Sequence, residues 1–154
     1  MQDTHGRGHN YLRISITEHC NLRCTYCMPA EESSLTPRAH LMTADEIFTI
    51  SKTFVNLGVT KIRLTGVEPL VRRDAKQIIQ RLGKLGVELT LTTNGVLVHD
   101  FIDTFKEAGI KTLNVSIDSL QKDKFNKITR RKYFDKLWEN LDLLDANGFQ
   151  VKLN

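Results

Sequence analysis

The sequence has no long apolar run, few aromatic residues and only three cysteines among its 154 residues. No stretch approaches the roughly 20 apolar residues that a transmembrane helix needs, so we expect no membrane span. The first ten residues contain no apolar core of a secretory signal, and an odd number of cysteines argues against a disulfide framework. We therefore expect a protein of a reducing compartment, with a cytoplasmic location and no membrane partner.

The composition is that of one globular domain. Hydrophobic residues make up 40% and charged residues 26%, which excludes disordered, collagen-like and coiled-coil chains. A chain of this length can bury a proper core. Lys and Arg exceed Asp and Glu by 22 to 18, which is compatible with anionic ligands but gives no reason to expect nucleic acid.

Four glycines each follow a helix-like stretch and precede a short run typical of a strand: Gly58, Gly86, Gly109 and Gly148. Glycine ends helices readily because it accepts the left-handed conformation. With an opening strand at 11–17, the order βαβαβαβαβ predicts a parallel sheet with right-handed crossovers. The predicted helices lie near 43–57, 74–85, 99–108, 122–128 and 134–144.

The first predicted helix has the clearest local signals. Thr43 and Glu46 have the spacing of a capping box at its start. Its apolar positions recur at helical spacing, at Ile47, Ile50, Phe54 and Leu57. We expect this stripe to face the sheet.

Apolar and polar residues alternate along all five predicted strands. Successive side chains of a strand point to opposite faces, so each strand has an apolar face for the helices and a polar face. We therefore predict an α/β fold, a partial, open parallel β/α barrel of about five strands whose polar interior holds polar ligands. The alternative is a flat sheet with one solvated face and every helix on the other.

The three cysteines, Cys20, Cys24 and Cys27, lie in one short loop after the first strand. Ligands bind at this rim of barrel-like α/β folds. Three thiolates suit a zinc ion or an iron–sulfur cluster. Structural zinc needs a fourth protein ligand, and His19 is badly placed beside Cys20. A four-iron cluster held by three cysteines leaves one iron open, so the residues favour the cluster and zinc is the alternative.

The spacing Cys-x3-Cys-x2-Cys, with Tyr26 before the last cysteine, resembles the signature of the radical S-adenosylmethionine (SAM) superfamily. Further segments are similar to the GTP 3′,8-cyclase family of molybdenum cofactor biosynthesis: Asp3, Gly6-Arg7, YLRISITEHCNLRCTYCMP, KIRLTGVEPLVRRD, LTTNG and LNVSIDSL. This resemblance covers nearly the whole chain in the family's order.

The resemblance implies a radical SAM lyase that converts GTP to a cyclic pyranopterin precursor through a 5′-deoxyadenosyl radical. The three cysteines would ligate a [4Fe-4S] cluster whose open iron chelates SAM. It also implies a downstream partner protein of pterin synthesis and a homodimer in the full-length family. The alternatives are another radical SAM maturase and a non-catalytic zinc-binding module.

The family's cofactor-binding positions correspond to Tyr26, Gly66, Val67, Glu68, Thr92, Asn94 and Ser116. The Glu68 carboxylate is suited to accept charge-assisted hydrogen bonds from the SAM ammonium. Asn94, in a Thr-Asn-Gly sequence, is equally typical of a local turn.

The family's substrate-binding positions correspond to Arg13, Lys61, Arg63 and Lys152. A period of two places all four on the polar face, where they would repel unless an anion such as a triphosphate lies among them. The alternative is that these side chains extend to solvent. Further charges are interpreted as solvated or gap-closing, namely Arg72, Arg73, Arg130, Arg131 and Lys132. Asp118 ends a strand facing inward, and two interpretations are open for it, structural hydrogen bonding or a functional role.

The sequence departs from the family's pattern in two ways. Val67 replaces a second glycine, which would permit close approach to a ligand or a positive φ, so we expect weaker SAM binding than in Val67→Gly. Family members are also about twice as long and have a second cysteine cluster. We therefore expect residues 1–154 to be one incomplete radical SAM core domain, with an open sheet edge and with its activity alone in question.

Overall fold

The computed structural model describes residues 4–27, 37 and 40–154, so Asp3 of the family pattern lies outside the described residues. These residues contain five strands, β1 (Tyr11–Ser15), β2 (Lys61–Thr65), β3 (Glu88–Thr93), β4 (Thr112–Val115) and β5 (Gln150–Leu153). Five α-helices connect them, α1 (Ala44–Asn56), α2 (Ala75–Gly83), α3 (Ile102–Glu107), α4 (Lys122–Thr129) and α5 (Phe134–Ala146).

The strands form one parallel sheet in the order β1-β2-β3-β4-β5, so each strand pairs with its successor. β1 and β5 do not pair with each other among the described residues, and the sheet is therefore open. This confirms the predicted α/β class and the incomplete parallel barrel.

The core lies between the apolar face of the sheet and the helices. Ile62, Leu64, Leu91 and Leu113 contribute the strand side and are almost completely buried. The same cluster contains residues of all five helices, including Ile47, Ile79, Phe105, Phe125 and Leu137. The helices therefore cover one face and leave the polar face of the sheet to other contacts.

The polar face is sheltered. Thr90 lies at its centre and is completely buried, and its hydroxyl donates to the Thr112 carbonyl at 2.7 Å. Asn114 on the same face is also buried. A flat, solvated face would expose both residues, so this burial favours the curved, partly closed sheet.

The structure confirms the local sequence signals at the helix ends. Thr43 and Glu46 form a reciprocal capping box at the start of α1. The four helix-ending glycines all have positive φ, from 70° at Gly86 and Gly109 to 98° at Gly58. Within the described ranges, no helix has both the length and the apolar character needed to cross a bilayer.

Some predicted details are wrong. Ile50 and Leu57 are exposed, whereas Ser51 is completely buried. Ser51 can lie in the core because its hydroxyl donates to the Ile47 carbonyl at 2.7 Å. The helix predicted at 99–108 is a 3-10 turn at Val98–Asp100 followed by α3, and β1 ends two residues early, at Ser15.

Candidate functional site at the carboxyl ends of the strands

The cysteine loop, residues 17–27, follows β1 in the chain and contacts the last turn of α4. The main-chain N–H groups of Arg23 and Thr25 donate to the carbonyls of Thr129 and Ile128, each at 3.0 Å. The last carbonyls of a helix have no partner within the helix, so the loop satisfies two of them. These bonds place Cys24 beside the end of α4.

The three thiols have different surroundings. The Cys20 sulfur accepts a hydrogen bond from the Leu22 N–H at 3.3 Å and lies 3.7 Å from Nδ2 of Asn94. Cys24 is buried, and its sulfur lies 4.0 Å from Oδ2 of Asp118. Cys27 is exposed.

Burial is the main cause that raises the pKa of the Cys20 thiol and raises that of Cys24 to about 11. Neighbouring cysteines add to both shifts because thiolates repel one another. A bound cation removes this penalty, and metal binding is what deprotonates such thiols.

No group of three His, Cys, Asp or Glu side chains is already gathered for a metal in the described part of the chain. The donor set nevertheless fits an iron–sulfur cluster, because three thiols share one loop and Cys20 already accepts N–H donors of the kind that thiolate ligands use.

Gly66 brings the end of β2 against the cysteine loop. Its φ is 139°, and a Cβ built there would lie 2.6 Å from the Thr17 carbonyl oxygen. The next residue, Val67, donates its N–H to the same oxygen at 3.0 Å. Only glycine fits at position 66.

Val67 needs no glycine-like conformation. Arg130 is the one non-glycine residue with positive φ in the described ranges, so the strain considered for Val67 is not present. The residue is 45% exposed at the end of β2. Any effect of Val67 on a ligand must therefore come from side-chain volume.

Glu68 lies inside the protein, with 0% of its surface exposed. Its carboxylate accepts hydrogen bonds from the Leu70 N–H at 3.0 Å, the Thr93 hydroxyl at 2.8 Å and the Asn94 N–H at 2.6 Å. Burial raises the pKa of Glu68 to about 7, although these donors act in the opposite direction. The carboxylate joins the end of β2 to the end of β3.

Asn94 is both a turn former and a neighbour of the cysteine loop. Its Oδ1 accepts from the Val96 N–H at 3.1 Å, and its Nδ2 donates to Oδ1 of Asn21 at 2.7 Å. The two interpretations of Asn94 are therefore compatible.

Two further predicted cofactor positions lie at the ends of β3 and β4. Thr92 is half-buried and is the register partner of Asn114, and Ser116 is exposed, with its N–H donating to the Thr93 carbonyl at 2.9 Å. Tyr26 as a whole is 69% exposed, and its hydroxyl donates to Oδ1 of Asp118 at 2.8 Å. Partial desolvation of the hydroxyl and this hydrogen bond raise the Tyr26 pKa.

Three predicted substrate cations are each the third residue of their strand, in β1, β2 and β5. Arg13 is the register partner of Arg63, and Lys152 is the partner of Asn114. The Arg63 guanidinium lies over the Tyr11 ring, 5.7 Å from its centre. Its Nε is buried and has no hydrogen-bond partner in the structure.

Lys61 differs from the other three cations. It begins β2, and its amine forms a 2.6 Å ion pair with Glu88, its register partner on β3. Glu88 was not expected as a partner of this lysine, although the same period of two places it on the polar face. The repulsion expected among four cations is thus reduced by a carboxylate of the chain.

Arg72 was interpreted as a solvated or gap-closing charge, but its side chain is only 10% exposed. Its guanidinium donates to the carbonyls of Ile16 at 2.7 Å and Met42 at 2.6 Å, and pairs with Asp74 at 2.7 Å. It therefore clamps the end of β1, just before the cysteine loop. The Arg-x-Asp spacing was the available signal for this pair.

A cavity of about 730 Å³ adjoins Cys20. One wall is formed by the cysteine loop and the other by the segments before α1 and α2, and its lining includes Thr17, His19, Asn21, Met42 and Arg72. The side of the cysteine loop that faces Arg72 is therefore open enough for a ligand of small-molecule size.

Comparison with solved structures identifies the same fold elsewhere. SuiB of Streptococcus suis, in a crystal structure bound to S-adenosylmethionine, superimposes with a TM-score of 0.76 at 19% identity, covering 94% of this chain and 33% of SuiB. The protein anSMEcpe, solved with bound AdoMet, has a TM-score of 0.69 at 18% identity, covering 93% of this chain and 41% of that one.

Curated proteins with similar sequences match over essentially the whole chain. Molybdenum cofactor biosynthesis protein 1 of Dictyostelium discoideum is 46% identical, and the match covers 100% of this chain and 25% of that protein. The GTP 3′,8-cyclase of Rhizobium etli is 44% identical, covering 100% of this chain and 45% of the cyclase. The chain thus spans a quarter to less than half of these relatives.

The family model described as the Radical SAM superfamily matches residues 14–154. This range contains the cysteine loop, all of β2 to β5 and every residue of the strand-end site described above except Arg13 and Tyr11. The chain belongs to the radical SAM superfamily.

Proposed function

We propose that this chain is the radical SAM core of a GTP 3′,8-cyclase of molybdenum cofactor biosynthesis. The observation that carries the proposal is that the three-cysteine loop lies at the carboxyl ends of the strands of one open parallel sheet, and that the register and the period of two place Arg13, Arg63 and Lys152 on the polar face of the same sheet. Similarity to named GTP 3′,8-cyclases over the whole chain supports it.

Cys20, Cys24 and Cys27 would hold a [4Fe-4S] cluster with one iron open to SAM. When bound, these groups supply one-electron radical chemistry. The chain keeps Cys24 buried, directs N–H donors at Cys20 and fixes the loop on α4. These contacts orient the sulfurs.

The SAM site would be formed by Tyr26, Gly66, Val67, Thr92, Asn94 and Ser116, which surround the carboxyl ends of the strands. Glu68 belongs to this segment, but three donors of the chain already use its carboxylate. We propose that Glu68 mainly holds the ends of β2 and β3 together. A carboxylate has about four lone-pair sites, so one remains that can accept a hydrogen bond from the SAM ammonium.

The triphosphate of GTP would lie on Arg13, Arg63 and Lys152. An oxygen of a phosphate group would satisfy the buried, unpartnered Nε of Arg63. Lys61 contributes less in this proposal, because Glu88 neutralises it.

Residues 1–154 are proposed to form one incomplete core domain. A downstream partner protein of pterin synthesis and a homodimer remain proposals from the family, and cytoplasmic location remains a sequence-based prediction.

The test is anaerobic reconstitution of the chain with iron and sulfide, followed by assays of 5′-deoxyadenosine formation from SAM with and without GTP. We expect about four irons per chain, a brown protein and turnover that depends on GTP. Cys24→Ala should lose the colour. A colourless protein that retains stoichiometric zinc contradicts the proposal, and turnover indifferent to GTP supports another radical SAM maturase.

A further inference from the structure

Asp118 connects the end of β4 with the cysteine loop. Its two carboxylate oxygens have different contacts, since Oδ1 accepts the Tyr26 hydroxyl at 2.8 Å and Oδ2 lies 4.0 Å from the Cys24 sulfur. These contacts join residues 92 and 94 positions apart in the chain. The same side chain thus restrains the loop and places charge beside one sulfur.

Other anchors act on other parts of the loop. The last turn of α4 holds Arg23 and Thr25 through their main-chain N–H groups, and Leu22 and Asn94 direct N–H groups at Cys20. Asp118 acts at Tyr26, immediately before Cys27. It therefore restrains the part of the loop that precedes the most exposed thiol.

The carboxylate also makes the surroundings of the sulfurs unequal. The Asp118 carboxylate lies 4.0 Å from the Cys24 sulfur, whereas the Cys20 sulfur faces N–H donors of Leu22 and Asn94. The same charge beside a ligated sulfur stabilises the oxidised cluster relative to the reduced one, because reduction adds a further negative charge. The N–H donors at Cys20 act in the opposite direction.

We propose that Asp118 is a positioning residue of the cysteine loop, which holds Tyr26 in place and lowers the reduction potential of the cluster through its charge beside Cys24. This inference rests on the proposed cluster. Asp118 need not touch SAM or GTP to act in this way.

The charge is tested by a redox titration of the reconstituted protein, followed by electron paramagnetic resonance. Asp118→Asn keeps an oxygen for the Tyr26 hydroxyl but removes the charge, so we expect a less negative potential at unchanged iron content. Tyr26→Phe keeps the charge and should shift the potential less. Asp142→Asn, at an exposed position of α5, makes the same charge change and should leave the potential unaltered. An unaltered potential in Asp118→Asn overturns the tuning role.

The positioning role is tested by hydrogen exchange of the metal-free chain. Asp118→Ala and Tyr26→Phe should each speed exchange of the Thr25 and Cys27 amides about 3-fold or more, and the double variant should add nothing further. Exchange equal to wild type in both variants overturns it. This measurement needs no iron, so it tests the positioning role independently of the cluster. If the chain fails to assemble a cluster, the proposed function and the tuning role are overturned, but the exchange result still decides the positioning role.

Discussion

The carboxylate of Glu68 accepts a 2.6 Å hydrogen bond from the main-chain N–H of Asn94, 26 residues further along the chain. Asn94 in turn donates its side-chain amide to Asn21 in the cysteine loop, at 2.7 Å. The ends of β2 and β3 are thereby connected to the loop that would hold the cluster. A buried acid, rather than an exposed one, thus supports the candidate site.

Glu68 should make the stability of the chain depend on pH. Its pKa is raised from 4.5 to about 7 in the folded state, so the native protein binds the additional proton between these values. This contribution is fully present below about pH 4.5 and is lost as the pH rises through about 7. Urea unfolding at several pH values should show a falling free energy of unfolding over this range.

Glu68→Gln should remove that part of the pH dependence and lower stability by about 1–3 kcal/mol, because an amide cannot accept all three donors. Glu139→Gln, at an exposed position of α5, serves as the control. An equal slope against pH in Glu68→Gln and wild type would contradict the assignment.

Gly66→Ala should be strongly destabilising. The new Cβ would meet the Thr17 carbonyl oxygen at 2.6 Å in a backbone with φ of 139°. We expect a loss of about 1–3 kcal/mol or more in denaturant unfolding. Gly8→Ala is the matched control, since a Cβ there meets no atom within 4 Å. Equal stability of the two variants would refute the close-approach argument.

Val67→Gly should bind SAM more tightly in the reconstituted protein. Val67 is 45% exposed at the strand end, and removal of its side chain opens space beside the proposed cofactor. Because Val67 has no positive φ, the change relieves no strain and should cost about 0.5–1 kcal/mol of stability. A calorimetric titration with SAM measures the affinity, and equal binding by both proteins would exclude a steric effect.

Arg72→Ala should destabilise the end of β1 by about 1.5–3 kcal/mol, since it removes bonds from a charged group to the carbonyls of Ile16 and Met42. Arg72→Lys should recover only part of this loss, because an ammonium lacks the fork of the guanidinium. Thermal unfolding compares both with Arg73→Ala, for which we expect a change below about 0.5 kcal/mol. A similar loss in Arg73→Ala would show that the clamp is not specific to Arg72.

Arg63 and Lys61 should differ in their importance for GTP. Arg63→Ala should weaken GTP binding about 10-fold or more, because it removes a buried donor that has no other partner. Lys61→Ala should change the affinity less, since Glu88 already neutralises this amine. Equilibrium binding at two salt concentrations measures both effects. Equal losses in the two variants would place the triphosphate nearer the start of β2.

Features that depend on neighbouring residues could be predicted from the sequence. The alternation along the strands, the glycines that end helices and the capping box of Thr43 and Glu46 are of this kind. The exposure of Ile50 was not predictable, because tertiary packing decides the rotation of α1 about its axis. Ser51 occupies the buried position instead.

The contacts within the candidate site were harder to predict, because they join distant parts of the chain. Asp118 meets Tyr26 across 92 residues, and Arg72 reaches Ile16 across 56. A sequence pattern indicates which residue types are suited to a site but not which of them pair. Lys61 and Glu88 illustrate this, since each fits the polar face and their ion pair depends on the register of β2 and β3.

The length of helix α4 determines where the cysteine loop is held, because the last carbonyls of the helix accept hydrogen bonds from the N–H groups of Arg23 and Thr25. One inserted residue would advance the helix end by about 1.5 Å and turn it by about 100°. The carbonyls of Ile128 and Thr129 would then point away from the loop. Insertions in α4 are therefore expected to disturb the sulfur ligands, although no residue of that helix would touch the metal.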